Sequence, residues 1–310
     1  MLIEKGAAVL YPFLRAPERY SVAVMTQWNK LFKEEQLYRV INHIDSNTIY
    51  QKPNSAIASF AADDALATAI AKGSSPATIR FWVHDKTVVL GIPDGRLPLL
   101  PDGIRHLNDN GFQVMIRNSG GLAVALDKGV LNISLILSDA RHLSINAGYE
   151  AMVHFIKKMF ADVTDAIEAY EIVGSYCPGD FDLSIDGRKF AGISQRRIRD
   201  AAAVQIYLDV FGDSQQRAEM IRDFYKKTRG SEATKFTYPD VEPEVMGSLN
   251  DLLGLNLTIS DVAHRARTVL AQSGLTETSN HDEALERQTF EKRYTQMQER
   301  NQDILQMQNI

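Results

Sequence analysis

The chain has 310 residues, 45% of them hydrophobic, 24% charged and 8% aromatic, with 19 Gly and 10 Pro; those proportions exclude a disordered chain, a collagen-like fibre and a disulfide scaffold. With 34 Lys and Arg against 39 Asp and Glu the formal charge is −5, so there is no global basic field for nucleic acid or a membrane surface. No apolar run approaches the ~18 residues of a spanning helix, residues 1–12 lack the basic and apolar regions of a signal peptide, and Cys177 has no second cysteine to pair with.

These features predict a cytoplasmic protein with a reduced thiol. In residues 1–58, Trp28, Leu31, Phe32, Leu37, Tyr38 and Ile41 recur near helical spacing and predict a helix packed on another element. Ser59 is placed as the cap of a helix through Ala71, closed by Lys72 and Gly73. Strands are expected at 78–83 and 87–90 around His84-Asp85-Lys86, then at 112–116. A hairpin is expected to join 122–126 to 130–137 through Asp127-Lys128-Gly129. Met152, Phe155, Ile156, Met159 and Phe160 mark a helix, followed by strands at 167–173, a hairpin at 181–195, a strand at 202–211 and a helix at 214–228. Past Pro243 two helical patterns remain, 260–272 and 282–308, the second so polar that it reads as a lid, a partner-binding arm or a frayed tail. The fold class expected is α+β (α/β), a mixed β-sheet core flanked by helices over about 59–245, with extensions at 1–58 and 246–310.

Three segments hold candidate chemistry. In Arg117-Asn118-Ser119-Gly120-Gly121-Leu122 a Gly-Gly pair lies between two strands, and reads either as a plain turn or as a place where backbone approaches a ligand. Arg117 beside it can anchor a carboxylate, phosphate or carbonyl oxygen. Neither the dinucleotide fingerprint nor the Walker loop is present. Cys177 sits in Gly174-Ser175-Tyr176-Cys177-Pro178-Gly179-Asp180, a loop composition that favours a reactive thiol over core filling. In the third segment Asp186-Gly187 is a type I′ hairpin signal that pairs Ile185 with Arg188, Ser184 with Lys189 and Leu183 with Phe190. Lys189 then lies opposite the apolar set, either solvated and paired with Asp182 or facing a ligand cleft. A cation near a thiol lowers its pKa, and a two-unit drop corresponds to about 2.7 kcal/mol.

Arg117 through Val124 followed by Asp127, Gly129 and Leu131-Asn132-Ile133-Ser134, together with Gly187-Arg188-Lys189-Phe190-Ala191-Gly192, resembles the superfamily of biotin and lipoate protein ligases and octanoyltransferases over about residues 60–245. The run Gly174 to Gly179 with Lys189 to Arg197 is most similar to its cysteine-dependent amidotransferase branch. That resemblance implies a ligase-type catalytic domain, and an octanoyl or lipoyl group taken from the lysine of glycine cleavage H protein. The group would pass to the lysine of lipoyl domains of 2-oxoacid dehydrogenase complexes. It implies Cys177 as the acyl-thioester nucleophile and Lys189 as the cation that lowers the Cys177 pKa and handles the proton. Arg117, Ser119, Gly120, Gly121 and Leu122 would form the acyl-binding loop, with Leu122, Val124 and Ile193 along a tunnel. No metal, cofactor, nucleic acid or membrane partner is expected. Arg196, Arg197 and Arg199 read as a solvated strand end or as a docking edge for acidic lipoyl domains.

The ligases read Arg-Arg-x-Ser-Gly-Gly-Gly-Ala-Val-x-His-Asp, whereas Ile116, Leu122 and Leu126 stand here at the first Arg, the third Gly and the His. These departures point away from ATP-dependent adenylation. An ATP-dependent lipoate ligase and a transferase drawing octanoate from acyl carrier protein are the alternatives.

Overall fold

The computed structural model describes residues 37–230 and 236–308. Strand β1 (Leu37–His43), the short pair β2 (Thr48–Ile49) and β3 (Lys52–Pro53), and helix α1 (Ala56–Ala71) come first. They are followed by β4 (Ala77–Trp82), β5 (Thr87–Leu90), α2 (Leu100–Asp109), β6 (Gln113–Ile116), β7 (Val124–Leu126), β8 (Val130–Leu137) and α3 (Ile145–Met159). Next are β9 (Glu168–Ala169), β10 (Leu183–Ile185), β11 (Arg188–Ile198), β12 (Ala201–Asp209) and α4 (Ser214–Thr228). The chain continues through α5 (Leu249–Leu253), α6 (Ile259–Gln272), β13 (Thr276–Glu277), α7 (Glu283–Arg300) and α8 (Gln302–Met307).

Eight strands form a mixed sheet in the order β13-β1-β4-β8-β12-β11-β10-β9, with β1 parallel to β13 and β4 and the remaining pairs antiparallel. The unbroken run Val130 to Leu137 is buried along its whole length, as a central strand covered on both faces must be. One face carries α3 and α6 through Met152, Phe155, Val262 and Leu270. On the other face Ala201 and Ala203 of β12 leave room for Leu66, Ala67 and Ile70 of α1. A second sheet, in the order β6-β5-β7, packs on that side with α2 and α4.

Several expectations change here. Leu37, Tyr38 and Ile41 belong to a strand hydrogen-bonded to β4, not to a helix; their i, i+1, i+4 spacing imitates one. Trp28, Leu31 and Phe32 lie outside the described residues. Helix α1 begins at Ala56 on a Ser55 cap, and Ser59 is inside it and fully buried. The strands 124–126 and 130–137 do not form a hairpin: β7 pairs with β5, and β8 pairs with β4 and β12. The turn itself is real, with Gly129 N–H donating to Asp127 Oδ1 at 2.8 Å.

The polar C-terminal pattern is docked rather than frayed. α7 lies along α1 with Phe290 and Met297 in the core, and fully buried Glu286 meets Arg39 and accepts from Tyr50 at 2.8 Å. Asn301 breaks the helix and turns its amide onto β6, accepting from Ile116 N–H at 2.6 Å and donating to its carbonyl at 3.1 Å. Gln308 does the same to Val114, both contacts being 2.8 Å.

Under α1 lies a buried ion pair, Arg80 to Asp63 at 2.7 Å. Asp63 also accepts from Ser134 at 2.7 Å, and His84 shares a 3.0 Å hydrogen bond with Ser59. Burial, reinforced by Arg80, lowers the His84 pKa to about 3. Since that lies below the unfolded value of ~6.5, folding favours neutral His84, and the stability it contributes is lost as pH falls below the unfolded value. Between pH 7 and pH 5 this amounts to about 2 kcal/mol. Urea melts of the wild type and His84→Gln at both pH values should show that much of the acid loss disappearing in the variant; equal losses in both would remove His84 as the cause.

Candidate active site

Strand β6 delivers Arg117 to the end of β5, where its N–H donates to the Leu90 carbonyl at 2.9 Å. The chain then folds back through Ser119, Gly120 and Gly121 into β7. Gly121 has φ +102°, and a Cβ there would lie 2.1 Å from Arg117 Nη2 and 3.0 Å from Cys177 Sγ. Gly120 is exposed with open space around it. Only the second glycine of the pair is therefore required by packing. Gly91 permits the same approach from the other side, because a Cβ on it would come within 1.9 Å of the Gly121 carbonyl oxygen.

Cys177 arrives from a different part of the chain, half-buried and with φ +49°, in the left-handed region where a residue with a Cβ is held at a cost of about 1–3 kcal/mol. Its Sγ accepts from Leu122 N–H at 3.1 Å and from Arg117 Nη2 at 3.3 Å. The same Nη2 donates to the Leu122 carbonyl at 2.7 Å, which fixes the plane of the guanidinium. Arg117 and Leu122, expected along the acyl chain, thus meet the sulfur itself.

Lys189 holds the cysteine loop from below. Its hairpin forms on Asp186-Gly187, whose φ values of +50° and +72° suit a type I′ turn. Ile185 pairs with Arg188 and Ser184 with Lys189 as expected, but a bulge then sets Leu183 opposite Ala191 instead of Phe190. The fully buried ammonium donates to the carbonyls of Cys177 at 2.8 Å and Tyr176 at 3.0 Å and to Ser175 Oγ at 3.2 Å. It is ion-paired with Asp182 at 2.9 Å. Asp182 accepts in addition from Gly179 N–H at 3.2 Å; burial raises its pKa against the opposing pull of Lys189. The ammonium thus reaches Cys177 at its carbonyl, and the cation hydrogen-bonded to the sulfur is Arg117.

Behind Arg117 a narrow cleft runs between the two sheets. Phe60, Trp82, Val89, Val124, Leu126 and Tyr207 supply apolar surface, and Gly192 leaves room where a Cβ would stand 2.8 Å from the Tyr207 ring. Val124 lines it as expected. Ile193 instead packs toward the core on the opposite face of the sheet, because neighbours on a strand alternate sides. Ser119 lies beside this wall, its Oγ 3.5 Å from Ser194 Oγ.

The arginine cluster divides. Arg196 turns inward, bridging to Asp64 of α1 and donating to the Asn118 carbonyl at 2.9 Å, so it braces the glycine loop. Arg197 is exposed but donates to the carbonyls of Ala140 and Leu143 at 2.9 and 2.7 Å. Arg199 stands exposed in the following turn.

Asp94 was not singled out from sequence, and Tyr225 only as an inward-facing position of the helix at 214–228. Fully buried Asp94 accepts from Gly91 N–H at 2.7 Å and from Tyr225 OH at 3.0 Å, while Tyr225 OH accepts from Ala123 N–H at 3.2 Å. The pair therefore ties both glycine-bearing segments to α4, and burial raises the Asp94 pKa to about 6. Tyr225 lies on the inward face of its helix, where a buried phenol needs a partner; that is the signal the sequence offered.

Residues 55–271 match the family model described as lipoyl protein ligase A/B catalytic domain. The chain is 54% identical over 280 residues to an octanoyl-[GcvH]:protein N-octanoyltransferase of Oceanobacillus iheyensis, covering 90% of this chain and 99% of that one. It is 50% identical over 233 residues to a lipoyl-[GcvH]:protein N-lipoyltransferase of Listeria monocytogenes, covering 75% and 82%. Among solved structures, a bipartite lipoate protein ligase from Thermoplasma acidophilum, studied with its E2 lipoyl domain, superposes with a TM-score of 0.55 at 18% identity, over 85% of this chain and 94% of that one. Among the described residues no helix is long and apolar enough to cross a membrane.

Proposed function

This chain belongs to the lipoyl protein ligase A/B catalytic-domain family, and on that premise we propose that it is an acyltransferase moving an octanoyl or lipoyl group between protein lysines through a thioester on Cys177. The donor is glycine cleavage H protein, the substrate that the relatives' names specify. The acceptor is the lysine of lipoyl domains of 2-oxoacid dehydrogenase complexes. The observation that carries the reading is the Cys177 sulfur, hydrogen-bonded to Leu122 and to Arg117, a residue that also lines the cleft between the two sheets.

The chemistry proceeds in two halves. The thiolate attacks the acyl-amide carbonyl, the C–N bond breaks, and the donor lysine leaves with the proton that the thiol released. The acceptor lysine then attacks the thioester, restoring an amide and the thiol. One amide is exchanged for another of the same kind, so no nucleotide is required. Lys189 and Asp182 keep the strained cysteine backbone in place throughout. Arg197 and Arg199 supply the basic edge toward an acidic partner domain. The reaction is placed in the cytoplasm, where a lone nucleophilic thiol stays reduced.

Mixing the protein with octanoylated H protein, without ATP, should add one octanoyl group by intact mass, labile to hydroxylamine and mapped to Cys177. Adding a lipoyl domain should discharge it onto that domain's lysine. Modification of the acceptor only with ATP and free lipoate would overturn the reading in favour of a ligase. Labelling by octanoyl-acyl carrier protein alone would move the donor.

A further inference from the structure

Arg117 is only 6% exposed, and its guanidinium is incompletely used. Nη2 is committed to the Cys177 sulfur and the Leu122 carbonyl. Nε is buried without any partner, although Arg117 forms part of the cleft wall beside Val124 and Tyr207. A buried N–H donor without an acceptor is unfavourable, and the place where an acceptor arrives during the reaction is the cleft. We propose that Arg117 is a catalytic residue that serves two anions in turn, the thiolate through Nη2 and the oxyanion of the tetrahedral intermediate through Nε.

The electron movement fits one planar group. As Sγ bonds to the acyl carbon, the carbonyl π pair moves onto oxygen, and negative charge leaves the sulfur for an atom two bonds away. A guanidinium fixed edge-on to the sulfur presents a second N–H along the same edge, so the cation need not move when the charge does. Collapse restores the C=O bond and expels the leaving group. Lys189 has no equivalent freedom, because its ammonium is surrounded by the two carbonyls, Ser175 and Asp182.

The inference rests on the thioester reading but is separable from the choice of protein donor by using 4-nitrophenyl octanoate, whose C–O bond breaks to release nitrophenolate without needing a proton. Alkylation of Cys177 by iodoacetamide serves as the control, since it consumes the thiolate but forms no oxyanion. In Arg117→Gln the burst of nitrophenolate should slow on the order of 100- to 1,000-fold, and at least tenfold more than alkylation slows. Arg117→Lys, which keeps a cation but loses the second donor of the edge, should alkylate near the wild-type rate and still acylate slowly. Equal losses in the two assays would assign Arg117 to loop structure, and no loss in either would assign it no role; both overturn the proposal. A normal Arg117-dependent burst without transfer from octanoylated H protein would leave this inference standing and sink only the donor assignment.

Discussion

Replacing Lys189 with Met should lower folding stability by about 3–5 kcal/mol, the usual cost of removing one partner from a buried ion pair. The ammonium is fully buried and its removal leaves Asp182, 2% exposed, with no cation. It also removes the donor that the Cys177 and Tyr176 carbonyls share. The left-handed Cys177 backbone is held against its own preference, so the loop should relax and acylation should be lost together with stability. Guanidinium denaturation and thioester trapping would read the two effects separately. The double variant Lys189→Met with Asp182→Asn should recover part of the stability by removing the stranded charge, but none of the acylation. A single-variant loss under ~1 kcal/mol would show that the pair is not holding the loop.

Gly121→Ala should reduce acylation of Cys177 on the order of a thousandfold. The added methyl group would occupy the space of Arg117 Nη2 and press on the sulfur, at a φ of +102° that disfavours any side chain. Both contacts to the reacting atom are thereby disturbed at once. Gly120→Ala, one residue earlier, meets open space and should retain most of the activity. Burst kinetics on the two variants decide the matter, and similar rates for both would mean that the close approach at Gly121 has no part in catalysis.

The contrast between two turns shows what the sequence made legible. Asp186-Gly187 and Asp127-Lys128-Gly129 both announce reversals, and both reversals exist. The first joins paired strands because the hairpin partners are adjacent in the chain. At the second, β7 and β8 part company because each finds a better-matched strand elsewhere, β5 for one and β4 and β12 for the other. Turn chemistry is local, while strand choice is decided by the whole sheet. The thiol was legible from its loop composition, and Lys189 from its hairpin and its family resemblance. The Arg117–Cys177 contact was not, since 60 residues separate the two in sequence. Nor was the seating of α7, whose few apolar positions succeed because α1 beneath it is rich in alanine and lets a helix lie close.

The side-chain amides of Asn301 and Gln308 have a consequence for recognition. They occupy the backbone donors and acceptors of Val114 and Ile116 on the outer side of β6, groups that would otherwise invite a strand from another molecule. That edge lies next to Arg117 and is closed to such zippering. An incoming acyl-lysine cannot be guided there by main-chain pairing, so partner choice on that flank falls to side-chain shape and charge around the cleft mouth. A strand of unrelated sequence gains no foothold beside the Cys177 sulfur.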